Sequence, residues 1–347
     1  MSRKSKNSNL QSARDSKQDE FYTQLSDIEK ELKHYKKHFK GKVVYCNCDD
    51  PRVSGFFHYL SYNFEKLGLK KLIATCYKSG ERDLFSTNKA EKAIMLEYTG
   101  VKNNSNVPNP DEIGIVKLQG DGDFRSPESI DLLKQADIVV TNPPFSLFRE
   151  FVNQLYEYDK KFIIVGSKNA ITYKEVFRLI QDNKLWLGNG FSAGNAYFKI
   201  PPENARNYAA GVYDESTGLV KFRNVGWFTN LDIAKRHEEL ILYRKYHEVN
   251  YPRYDNYDAI DVAKVKDIPG DYNGAMGVPI TFLDNYNPNQ FEILGITDRD
   301  NNSGLKIKEY TSEDATNHSD LNRRGSIKVG NEYKSTYARL LIRRKSK

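Results

Sequence analysis

Cysteine is scarce in this chain, with three in 347 residues: Cys46, Cys48 and Cys76. Three thiols cannot make a disulfide framework, and no second Cys or His pair stands at zinc spacing from Cys46 and Cys48. They read as reduced core residues of a cytoplasmic protein, with no metal site. No apolar run approaches the roughly 18 residues that a membrane-spanning helix needs. Met1-Ser2-Arg3-Lys4-Ser5-Lys6 leads into no apolar segment of the secretory kind. Neither a membrane span nor a signal peptide is expected. Charge of a single sign is missing too: 53 Lys and Arg face 46 Asp and Glu, a formal net charge of +7. That excess suits a nucleic-acid partner without demanding one.

Aromatic residues are plentiful. The 23 Tyr and 18 Phe occur with interleaved Lys and Arg, the mixture that stacks on bases and meets phosphates. The length allows one large or two modest domains with a substantial core.

Residues 1–18 offer almost nothing to bury and read as a disordered basic tail. An amphipathic helix is predicted from Asp27 to Phe39, with Ile28, Leu32 and Tyr35 on one face. A strand follows over Lys42–Cys48, then a helix carrying Phe56, Phe57, Leu60, Phe64 and Leu67 and ending near Gly68. Further strands are predicted at Lys71–Cys76, Ile115–Leu118, Ile138–Val140, Lys161–Val165 and Leu185–Gly188, and a last one at Val225–Asn230. Helices are predicted around Ile130–Gln135, through Phe148, Val152 and Leu155, and over Ile171–Asp182. The stretch with Asn103-Asn104-Ser105-Asn106 reads as an excursion, and Gly188–Pro202 as an interruption. Strands alternating with helices imply an α/β fold with a parallel, doubly wound sheet. Residues 19–234 are expected to form the catalytic domain. Residues 235–347, with Tyr243-Arg244-Lys245-Tyr246-His247, Tyr251-Pro252-Arg253-Tyr254 and the Arg-rich Tyr333–Arg344, are expected to form a DNA-facing region.

Chemistry concentrates in Asn142-Pro143-Pro144-Phe145, which follows the apolar run Ile138-Val139-Val140. Such a run suits a central parallel strand, and ligands of open α/β sheets bind beyond the carboxyl ends of those strands. The Asn142 side-chain carbonyl can accept one hydrogen of an exocyclic amine. A backbone carbonyl of the Pro-Pro turn can accept the other, and the Phe145 ring can stack on the base. Held so, the amine nitrogen points its lone pair at an electrophilic methyl group. S-adenosylmethionine-dependent amino methyltransferases use this arrangement on a base taken out of its stack. Asn-Pro is also an ordinary way to begin a turn.

Longer words accompany the turn: Asp19-Glu20-Phe21-Tyr22-Thr23-Gln24, Val43–Val53, Gly120-Asp121-Gly122-Asp123-Phe124-Arg125-Ser126, Asp137–Arg149, Tyr254–Ile260 and Gly274–Leu283. On these the chain resembles the EcoRI-type adenine-specific DNA methyltransferases, nearly end to end. The resemblance implies a Rossmann-like S-adenosylmethionine-dependent methyltransferase sheet with a C-terminal DNA-recognition region. It also implies S-adenosylmethionine as methyl donor, a flipped adenine in double-stranded DNA as substrate, a monomer, and a GAATTC-like site in a restriction–modification system. Asn142, Pro143, Pro144 and Phe145 take the catalytic motif. Tyr22 and Thr23 resemble the amino-terminal motif that packs on the methionine part of the donor. Asp123 and Phe124 resemble the pair that meets the donor's adenine, with Asp123 chosen over Asp121 because an aromatic must follow. The loop after the first strand, with Cys46, Asn47, Asp49 and Asp50, is the remaining donor-binding segment. It departs from the family pattern because no glycine occurs before Gly55. Asp49 or Asp50 either contacts the donor or caps the next helix. No acid ends the second strand. An RNA-base or protein-glutamine methyltransferase, or a catalytically silent DNA-binding protein, are the rival readings.

Overall fold

Continuous apolar, β-branched runs become the centre of a sheet in the computed structural model, which describes residues 22–48, 50–77, 93–101, 108–200, 211–298 and 301–345. The chain divides into two compact units. Among the described residues, one holds those up to Lys168 and those within Gly188–Leu231; the other holds Asn169–Leu187 and those from Asp232 on. The second unit therefore includes a helical segment that the sequence reading grouped with the catalytic part. The amino-terminal tail and the Asn103–Asn106 excursion lie outside the described residues.

Seven strands of the first unit belong to the central sheet: β1 (Val43–Cys46), β2 (Lys71–Cys76), β3 (Ile94–Tyr98), β4 (Ile115–Lys117), β5 (Ile138–Thr141), β6 (Lys161–Ser167) and β7 (Val225–Thr229). Their order is β4-β3-β2-β1-β5-β6-β7. The central four are parallel, with Val43 opposite Lys71, Val44 opposite Ile138, and Ile138 opposite Lys161. Every residue of β1 and β5 is buried, as expected where both faces of a parallel sheet are covered.

The wholly parallel sheet expected from the sequence needs correction at both sides. β3 runs antiparallel to β2, β4 antiparallel to β3, and β7 antiparallel to β6. β3 was not anticipated at all. Its Ile-Met-Leu-Glu-Tyr alternates between covered and uncovered positions, the pattern of a strand away from the sheet centre. Cys48 also lies beyond β1, not within it.

Helices cover the sheet. The predicted helix from Asp27 forms as Leu25–Leu32, a 3-10 turn at Lys33–Tyr35 and Lys36–Phe39, and it buries Ile28, Leu32, Tyr35 and Phe39. The next is split into Gly55–Tyr62 and Phe64–Leu67 and ends on Gly68 with φ 65°. Pro127–Gln135 starts under the Ser126 cap with proline in its first turn, where a missing N–H costs nothing. Phe148–Glu157 buries Phe148, Phe151, Val152 and Leu155. Gly166 in β6 lies against the Phe148 ring, which occupies the space a Cβ would need.

A smaller antiparallel sheet of this unit joins Tyr22–Thr23, Ala196–Lys199, Leu219–Phe222 and Tyr213–Asp214, in that order. The expected interruption at Gly188–Pro202 thus contains a strand. The second unit has a four-stranded sheet ordered Ile260–Asp261, Met276–Pro279, Arg339–Arg344, Phe291–Ile296, and a hairpin of Ser326–Val329 with Glu332–Ser335. Its helix Lys174–Gln181 buries Val176, Phe177 and Ile180. Tyr251, Tyr254 and Tyr257, predicted as part of a DNA-facing stretch, are buried. The Tyr254 hydroxyl donates to Asp261 Oδ1, which also accepts from Arg339 Nε at 3.2 Å.

Candidate active site

The parallel strands of the first unit end side by side, and the loops that leave β1 and β5 are tied together. Thr141, the last residue of β5, donates its buried hydroxyl to the backbone carbonyl of Asn47, the residue after β1. Asn142 follows and is buried, as are Pro143 and Phe145. The Pro144 carbonyl accepts from Leu147 N–H at 3.0 Å, which closes the turn into a short 3-10 segment, Phe145–Leu147.

Phe145 connects this turn to the amino-terminal word. Its ring meets Phe198 edge to face, with centroids 6.4 Å apart and planes at 81°. Phe198 lies opposite Thr23 in the smaller sheet. The Thr23 carbonyl in turn abuts Gly55, where a Cβ would come within 2.8 Å of it. Gly55 opens the helix that follows β1, so Thr23 sits on the carboxyl side of the parallel strands. Tyr22, Thr23, Cys46, Asn47 and the Asn142–Phe145 turn are therefore gathered on one side of the sheet. The Cys46 side chain is buried within β1.

Two buried polar atoms there lack a hydrogen-bond partner among the described residues: Thr23 Oγ1 and Asn47 Oδ1. Leaving such an atom unsatisfied costs about 1–3 kcal/mol, so a pair of them marks a place suited to a polar ligand. These acceptors fit the amino-acid end of a methyl donor such as S-adenosylmethionine, which carries its own N–H groups.

The unusual loop after β1 solves its backbone problem without glycine. Cys48 takes φ 75°, a left-handed conformation that side chains with a Cβ rarely adopt. Asp49 lies outside the described residues. Asp50 is buried and accepts from Arg52, through the backbone N–H at 2.9 Å and through Nε and Nη2 of the guanidinium. The helix-capping alternative for Asp50 is not what forms, because the cap is Ser54, whose hydroxyl accepts from Phe57 N–H at 3.3 Å.

The Gly120–Arg125 segment reaches the end of β2. Gly122, at φ 77°, passes so close to the Cys76 carbonyl that a Cβ would lie 2.5 Å from it. Asp123 is thereby brought to a strand end, but both its oxygens are engaged by Arg125, Nε at 2.9 Å and Nη2 at 2.8 Å. Those hydrogen bonds hold the Asp123 carboxyl below the usual carboxylate range. Arg125 also donates to Glu150 at 2.9 Å. The Phe124 ring is buried edge to face against Phe151 at 5.1 Å. Asp121 accepts from the Asp123 N–H at 2.9 Å.

Sequence reading passed over Glu31. Its fully buried carboxylate accepts from Tyr35 Oη at 2.8 Å, Asn189 N at 2.8 Å and Gly190 N at 3.0 Å. Burial and the adjoining Glu31 charge push the Tyr35 hydroxyl's pKa well up. The bonds fix the loop leading to Phe191, whose ring stacks on Trp227 at 5.4 Å and also meets Phe198. The available signal was position: Glu31 falls on the apolar face with Ile28 and Tyr35.

Four parallel strands with an Asn-Pro-Pro-Phe turn at the end of a central one define a Rossmann-like methyltransferase. The pattern of the family described as "Adenine-specific methyltransferase EcoRI" matches residues 9–345. Type II methyltransferase M.EcoRI of Escherichia coli is 53% identical over 308 residues, covering 86% of this chain and 94% of that protein. Type II methyltransferase M.MgeORF184P of Mycoplasma genitalium is 40% identical, over 81% and 84% of the two chains. Type II methyltransferase M.MpnI of Mycoplasma pneumoniae is 39% identical, over 81% and 83%. The chain belongs to the EcoRI family of adenine-specific methyltransferases: it is a DNA methyltransferase of the restriction–modification kind, acting with a methyl donor. Among the described residues no helix is long and apolar enough to cross a membrane.

Proposed function

We propose that the chain moves a methyl group from S-adenosylmethionine to the exocyclic amine of an adenine turned out of duplex DNA, at a GAATTC-like site. The observation that carries this reading is the Thr141–Asn47 bond, which holds the Asn-Pro-Pro-Phe turn beside the loop after β1. Asn142 Oδ1 accepts one amine hydrogen. The Pro143 carbonyl accepts the other, since the Pro144 carbonyl already serves the turn. The two acceptors draw the nitrogen toward tetrahedral geometry and localise a lone pair otherwise shared with the ring. Phe145 stacks on the base and keeps water away.

S-adenosylmethionine supplies, when bound, an electrophilic methyl group on a positively charged sulfur. Thr23 Oγ1 and Asn47 Oδ1 would accept from its amino-acid end, beside Tyr22, Cys46 and Asp50. Asp123 would accept from its adenine amine; a carboxylate offers about four lone-pair sites, so it could do so while keeping Arg125. Phe124 borders the same ring. Positioning supplies much of the rate, and the amine's extra proton leaves to solvent after the new bond forms. Residues 235–347 recognise the DNA.

Incubating the protein with S-adenosylmethionine and genomic DNA, then mapping modified adenines by sequencing, tests this reading. Modified adenines confined to one short duplex sequence are expected. Methylation of RNA or protein instead of DNA would overturn it.

A further inference from the structure

In the second unit three large apolar side chains stand in solvent within nine residues: Ile241 is 81% exposed, Tyr243 67% and Val249 97%. They lie on the segment from Leu240 to Asn250, which has no regular secondary structure until a 3-10 turn at Glu248–Asn250. The segment is nonetheless held down at every second residue. Leu240 exchanges two hydrogen bonds with the Gln290 side-chain amide, N–H to Oε1 and Nε2 to O, both 2.8 Å. Leu242 packs on Gly270, where a Cβ would lie 3.2 Å from its carbonyl. The Arg244 carbonyl accepts from Gly270 N–H at 2.9 Å in a parallel bridge with Pro269. Tyr246 donates its N–H to Asp271 at 2.7 Å, and its ring lies against Tyr251 at 5.7 Å and Tyr272 at 4.6 Å.

Anchoring of 240, 242, 244 and 246 leaves 241, 243, 245 and 247 facing outward, the alternation of an extended strand. Its outer row reads Ile241, Tyr243, Lys245, His247, about 7 Å apart at strand rise. Arg244 of this stretch pairs with Asp267 (Nε to Oδ1, 3.6 Å) and Glu239 and Glu248 flank it, so Lys245 is the cation of its outward row. Apolar side chains so prominently exposed and pre-ordered mark an interaction surface, and the Lys245 ammonium in the same outward row matches a backbone phosphate.

We infer that Leu240–His247 is a preformed DNA-docking arm, laying Ile241 and Tyr243 against the sugars and base edges of the substrate duplex and Lys245 against its phosphates. This rests on the proposal that residues 235–347 recognise the DNA. Being pre-anchored, the arm loses little entropy on binding.

The test is duplex binding by fluorescence anisotropy at several salt concentrations. It compares the full-length protein with Lys245→Ala, with the double variant Ile241→Ser/Tyr243→Ser, and with Arg343→Ala at the far carboxyl end. Thermal unfolding should be unchanged for the arm variants, since these side chains are exposed. Lys245→Ala should weaken binding to any duplex and reduce the slope of log K against log salt by about 1. The double variant should weaken binding about tenfold, toward the low end of the cost of losing an aromatic contact to nucleic acid. Wild-type affinity and salt slope in both arm variants would overturn the arm. If Arg343→Ala then lost affinity, the wider assignment of residues 235–347 would stand without it; if it did not, that assignment would fall too. A change in oligomeric mass without a change in DNA affinity would also overturn the arm, in favour of contact with a second copy.

Discussion

Near the Asn-Pro-Pro-Phe turn of the first unit, Phe145, Phe198 and Phe191 pack edge to face beside buried polar atoms that still lack partners, Thr23 Oγ1 and Asn47 Oδ1. In the second unit the Tyr254–Tyr257 word is saturated. Tyr254 donates to Asp261, and Asp255 accepts from Lys308 at 2.7 Å and Tyr310 at 2.8 Å. Asn256 accepts from Ser326 N–H and donates to the Arg324 carbonyl, both at 2.8 Å. Both regions combine aromatics with amides and acids. The difference lies in what is left over. A polar cluster whose bonds all close internally holds a fold, and one that closes incompletely around buried atoms is where a ligand belongs.

Substitutions in the saturated region should break the fold first. Tyr254→Ala should cost about 4 kcal/mol by denaturant unfolding, as expected for emptying a large aromatic site. Tyr254→Phe, which removes only the hydroxyl that Asp261 accepts from, should cost about 1–2 kcal/mol. Equal losses from the two would show that packing contributes little there. In the first unit, Glu31→Ala strands the Asn189 and Gly190 N–H groups and should cost about 3 kcal/mol. Trp227 fluorescence should shift as well, because Phe191 stacks on that ring. An unshifted spectrum would show that Glu31 does not hold the loop.

Smaller effects are expected in the donor-binding loops. Cys48→Gly should be neutral or stabilising by up to ~1 kcal/mol, since glycine adopts positive φ without a Cβ penalty. Clear destabilisation would show that the thiol makes a contact worth more than the strain. The smallest effect concerns acid. The folded Asp123 carboxyl titrates below its ordinary value of 3.8 because Arg125 bonds to it. Its stabilising contribution is therefore fully present above about pH 4 and is lost as pH falls through the lower folded value. Asp123→Asn should flatten the stability profile below pH 4 and leave it otherwise parallel. An unchanged acid limb would show that the pair contributes nothing in solution.

The parallel centre of the sheet was legible because Val43–Cys46, Ile138–Val140 and Phe162–Val165 are unbroken apolar runs that suit strands covered on both faces. Strand direction was not. Nothing in Val225–Thr229 states that it runs against β6, since direction depends on a partner far along the chain. The turn was legible because its four residues are contiguous. Glu31 was not, because its acceptor role exists only once Asn189, 158 positions away, folds against it. For the same reason Arg125's hold on Asp123 was missed, although the two are neighbours: a loop's side-chain directions follow from its dihedrals, here set by Gly122 against Cys76. The sequence left the tyrosines around Tyr254 open between packing and DNA contact, because alternating bases and aromatics look alike in a core and on a surface until the pairing partners are known.

The central claim is that Asn142 grips the amine. The most direct test measures transfer of a labelled methyl group to duplex DNA by Asn142→Ala, beside its binding of the same duplex. The account predicts turnover reduced at least about 100-fold, as when a preorganised hydrogen-bonding group is removed from a transition state, with duplex affinity retained. Near-normal methylation by that variant would contradict it.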